Sequence, residues 1–145
     1  MPAGDKQAAT LRALLTKEFD RNKELVQELS DAELHDYLHL VGTALVEIAD
    51  TTFGTGDDAT AAVVEWVGKI RSESELAAEA FDPVLCEEVL LFALGKTEGE
   101  ELTARQIRDT ELLLLPLLVD DRGLDENGID ELIAAALALL TDDQN

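Results

Sequence analysis

The sequence predicts an all-α protein, a single-domain bundle of about six helices, and three observations carry that expectation. Apolar residues recur at steps of three and four, strand-like alternation is absent, and only three prolines interrupt 145 residues. Hydrophobic residues make up 46 % of the chain and fall in long runs, so it can bury a core of Leu, Ala, Val and Ile. Residues 1–145 fit one domain, with the first and last few residues expected to lack fixed structure.

The first helix carries the stripe Leu11, Leu14, Leu15 and Phe19, with Leu25, Val26 and Leu29 extending it. Ser30 and Glu33 form a capping box that starts the second helix at Asp31. Its stripe runs Leu34, Leu38, Val41, Leu45 and Ile48, and Gly54 or Gly56 ends it. Asp57 or Asp58 caps a third helix with Val63, Val64, Trp66, Val67 and Ile70, which runs on or breaks around Ser72 and Ser74 before Leu76 and Phe81. Asp82 caps the fourth, where Pro83 takes the first helical position and Gly95 follows the last turn. Thr103 and Gln106 offer a capping box for a fifth through Val119, with a bend or break expected between Leu112 and Pro116. The loop Asp120 to Asn127 leads to a last helix through Leu140.

Two stretches, Leu112 to Val119 and Leu132 to Leu140, are apolar on nearly every face. Such helices are expected at the centre of the bundle or in an oligomer interface, here a homodimer face. Both are far short of the ~20 residues that cross a bilayer. Met1 to Thr10 has no apolar core ahead of a cleavage site, and Cys86, the single cysteine, allows no intrachain disulfide. These features lead us to expect a soluble, cytoplasmic protein.

Charge narrows the function. With 32 Asp and Glu against 11 Lys and Arg, the chain carries a formal −21. Such a surface repels phosphate backbones and acidic membrane leaflets and attracts basic protein faces. Four Phe, one Tyr and one Trp leave few rings on which bases would stack, so neither nucleic acid nor membrane is expected as a partner. The acids are also segregated: Met1 to Ser30 has five acids and five bases, Asp31 to Gly68 eight acids and no base, and Gly123 to Asn145 six acids and no base. A non-enzymatic module that neutralises or escorts a basic protein partner is therefore expected. Asp31, Glu33, Asp36, Glu47, Asp50, Asp57 and Asp58 form its candidate docking face, and Asp120 to Glu131 a second. Immunity proteins, antitoxins, nucleic-acid mimics and assembly chaperones share this physics by analogy alone. A structural subunit whose acidity reflects a salt-loaded cytoplasm is a further alternative.

A different class of function, a small metal-dependent enzyme or metal sensor, rests on His35 and His39, the only histidines, four residues apart with Asp31 one turn before them. At 100° per residue the three lie along one strip beside the apolar face, where two imidazoles can chelate a divalent metal. The segment His35-Asp36-Tyr37-Leu38-His39 superficially resembles the metalloprotease helix HExxH, with Asp36 in place of the longer catalytic Glu and no third histidine. No catalytic residue and no cofactor other than such a metal is expected. The loop Asp120 to Glu131 fails as an EF-hand, since placing Gly128 at the sixth position puts Ala134 where a bidentate Glu belongs. Gly54 to Asp58 follows no strand and carries two aspartates that repel phosphate. Cys86 lies between apolar residues and two acids, as a core thiol would, and Trp66 has core spacing.

Overall fold

The computed structural model describes residues 4–54, 56–73 and 82–143, and these form helices joined by turns. The helices are α1 (Asp5–Leu15), α2 (Phe19–Glu28), α3 (Asp31–Phe53), α4 (Ala59–Glu73), α5 (Pro83–Ala93), α6 (Ala104–Asp121) and α7 (Glu126–Asp143). Among the described residues there are therefore seven helices instead of about six.

The additional helix comes from a break inside the expected first one. Lys17 sits at φ 66°, the left-handed region, and the Glu18 and Lys17 amides donate back to the carbonyls of Ala13 (2.9 Å) and Leu14 (3.2 Å). This is a Schellman turn with lysine in the usual glycine position. Asn22 then ties α2 back, its side-chain amide donating to the Thr10 carbonyl (2.8 Å) and the Tyr37 hydroxyl (3.3 Å).

The other boundaries follow local chemistry. The Ser30 hydroxyl accepts from the Glu33 amide (3.2 Å) while Glu33 Oε1 accepts from the Ser30 amide (3.0 Å). Thr103 and Gln106 make the same reciprocal pair at 3.1 and 2.9 Å. Asp82 Oδ1 accepts from the Leu85 amide (3.2 Å) with Pro83 at the helix start. Gly54 closes α3 at φ 78° and Gly95 closes α5 at φ 74°. The expected continuation of the third helix through Ser74, Leu76 and Phe81 lies outside the described residues.

Pro116 does not break its helix, because α6 runs from Ala104 to Asp121 with the proline inside. Its neighbours Leu114, Leu115, Leu118 and Val119 are buried, and that burial, worth about 1.5–3 kcal/mol per large side chain, offsets the lost backbone bond. Most of the other helices meet at α3, which packs against α1, α4, α5, α6 and α7. Its inward residues Tyr37, Leu40, Val41, Ala44, Leu45, Ile48 and Ala49 keep one face turned to the core, and the apolar stretches of α6 and α7 flank it. Among the described residues no helix is long and apolar enough to cross a membrane.

Candidate functional site

With Asp31 fixed as the first residue of α3, the helical period decides which side chains look outward. Asp31, His35, His39 and Asp50 are exposed, Glu33, Asp36 and Glu47 half-buried, and Asp57 and Asp58 exposed in the turn that follows. Asp36, Glu47 and Asp50 lie within about 60° of arc at 100° per residue, in a row about 21 Å long at 1.5 Å rise. Asp31 stands well round the helix from that row.

Glu33 is spent structurally. It completes the capping box and pairs with Lys6 Nζ at 3.1 Å, and the Ser30 amide, then Lys6, holds its carboxyl below the ordinary range. Among the described residues no ion pair reaches the other six candidate carboxylates, Asp31, Asp36, Glu47, Asp50, Asp57 and Asp58. The segment 120–131 differs sharply. Arg12 reaches Asp130 (2.9 Å) and Glu126 (4.0 Å), Lys17 reaches Asp120 (2.8 Å) and Lys69 reaches Asp121 (3.0 Å). Asp125 caps α7 by accepting from the Gly128 amide at 2.8 Å. Arg12 and Lys17 of the first helix region and Lys69 of α4 thus reach the C-terminal acids, a redistribution that counting along the chain cannot reveal.

A further acidic hollow of about 450 Å³ is lined by Glu88, Glu98, Glu100 and Glu101 with Thr97. Its loop is held close by Gly99, at φ 65°, where an added β-carbon would stand 2.6 Å from the Phe92 ring. These four acids were missed from the sequence, although Glu98, Glu100 and Glu101 signal themselves by crowding one short loop.

The two imidazoles lie with ring centroids 6.4 Å apart, tilted 47°. They face α6 across a hollow of about 610 Å³ whose walls include Leu38, Ile107, Arg105, Arg108 and Glu111. Among the described residues no three His, Cys, Asp or Glu side chains converge closely enough to hold a metal, so Asp31 does not join His35 and His39 as a third ligand. Glu111 was missed from the sequence. Its signal is a lone acid opening an apolar run, one turn beyond Arg108. Burial raises its carboxyl to about 7.

Cys86 is 1 % exposed, and burial, reinforced by Asp82 and Glu87, pushes its thiol to about 12. It is an inert core thiol. Trp66 is a core residue whose indole N–H donates to Asp121 Oδ2 at 3.0 Å, with Phe53 edge-on at 5.9 Å. The hydrogen bond from Lys69, helped by that from Trp66, holds the Asp121 carboxyl below its ordinary range.

No protein-family model, no curated protein and no solved structure matches this chain.

Proposed function

We propose that the protein works by binding a basic protein partner, with Asp36, Glu47 and Asp50 of α3 and Asp57 and Asp58 of the following turn as the docking face. The observation that carries this reading is the partition of ion pairs. Among the described residues Lys6 pairs with Glu33 and Arg12, Lys17 and Lys69 pair with the 120–131 segment, whereas no ion pair reaches Asp36, Glu47, Asp50, Asp57 or Asp58, and Arg122 meets that stretch only at the Thr51 carbonyl (3.2 Å).

An uncompensated row of carboxylates concentrates negative potential, speeds encounter with a cationic surface and sets register once docked. The partner's Lys and Arg side chains take the place of the missing internal pairs. Compensation inside the 120–131 segment makes it the weaker of the two acidic faces considered. Binding to this face is an interaction, and the assignment invokes no catalytic group.

An ionic-strength series on the complex with a basic partner tests the mechanism. Affinity that falls steeply from low to physiological salt supports it, and an association constant indifferent to salt removes it.

A further inference from the structure

The chain as a whole has nearly three acids for every base, yet one trough on its surface inverts that ratio. The hollow between α3 and α6 adjoins a second of about 450 Å³ between α2, α3 and α6, and the two share Leu38 and Arg108 as lining. Arg105 lines the first and Lys23 the second, so three cations border the trough. One carboxylate, Glu111, faces them, and its raised pKa leaves it only partly ionised near neutrality.

The rest of the lining is largely apolar, with Ile107 in the first hollow and Val26, Leu34 and Leu112 in the second. Among the described residues Arg105 and Arg108 pair only with Asp109, at 3.7 and 3.5 Å and in the open, where ion pairs are worth about 0–1 kcal/mol and exchange readily for another anion. His35 and His39 add imidazole N–H donors on the opposite wall. Each hollow falls within the size range of small-molecule sites.

We propose that this trough binds a small amphipathic anion, its acidic head at Arg108 between Arg105 and Lys23 and its apolar body along Leu38 toward Ile107 or Leu112. The site is independent of the docking face on Asp36 to Asp58, and either can stand without the other. A guanidinium fork fits a carboxylate or a phosphate head, and the apolar walls supply burial for a short chain or ring.

The sign of the ligand's charge makes the test decisive, since a protein of this net charge attracts organic cations nonspecifically and repels organic anions. Octanoate, octyl phosphate and octylammonium are titrated separately into the ¹⁵N-labelled full chain below their micellar concentrations. The expected result is saturable shifts from an anion, confined to amides of residues 22–42 and 104–112, with the tighter of the two anions identifying the preferred head. The double variant Arg105→Gln/Arg108→Gln is expected to weaken that binding about tenfold, Arg71→Gln on α4 to leave it unchanged, and Glu111→Gln to strengthen it. Octylammonium producing the same localised shifts, anion shifts absent or scattered over the molecule, or a double variant that binds like the parent would each overturn the proposal.

Discussion

Glu111 of α6 rests directly on Gly42 of α3: a β-carbon at position 42 would stand 2.9 Å from Glu111 Oε2. The missing side chain of the glycine is what lets a carboxylate settle against the central helix. Gly42→Ala is expected to raise helix stability by about 1 kcal/mol while swinging the flexible Glu111 end toward solvent. NMR titration of Glu111 then shows its pKa returning toward the ordinary 4.5. An unchanged pKa would show that Gly42 does not set its burial.

Because the folded-state pKa of Glu111 is raised from 4.5 to about 7, the native state holds this proton more tightly than the unfolded chain does. Stability attributable to this group is therefore fully present below 4.5 and is lost as pH rises through about 7. Glu111→Gln is expected to be about 1–2 kcal/mol more stable than the parent at pH 8, discounted for partial exposure, and no more stable at pH 4. Denaturant unfolding at both pH values measures the difference, and a gain independent of pH would contradict burial as the cause.

Lys17 occupies a left-handed position that costs a lysine about 1–2 kcal/mol and a glycine almost nothing. Lys17→Gly also removes the exposed pair with Asp120, worth well under that. The net expectation is a gain of about 0.5 kcal/mol in unfolding free energy. A loss would place the ion pair above the backbone strain.

Cys86 is expected to resist thiol reagents in the native state at pH 8 and to react only at the rate of unfolding. Its burial and its thiol pKa near 12 both suppress the thiolate. Time-resolved labelling with and without denaturant checks this, and rapid native labelling would contradict the burial.

Much of the helical layout was legible because caps are local. Ser30 with Glu33, Asp82 with Pro83, Thr103 with Gln106, and the glycines at 54 and 95 each act within a few residues of chain. Lys17 was not legible, since nothing in a lysine announces positive φ when tertiary contacts impose it. At Pro116 the sequence left a bend or a break open, and packing, which overrides the local penalty, keeps the helix unbroken. His35 and His39 line one hollow, but its opposite wall, Glu111 and the two arginines, comes from more than 60 residues away. The same distance effect hid the pairing of Arg12 with Asp130, which turned an acidic segment into a largely compensated one.

The proposed recognition surface is the row of uncompensated acids on α3 and the following turn. Its most direct measurement is amide shift mapping of the labelled protein titrated with an octa-arginine peptide at low and physiological salt. Shifts gathered on residues 36–58 and fading as salt screens them are the predicted result. Equal shifts across 88–101 and 120–131, or a response that salt leaves untouched, would contradict it.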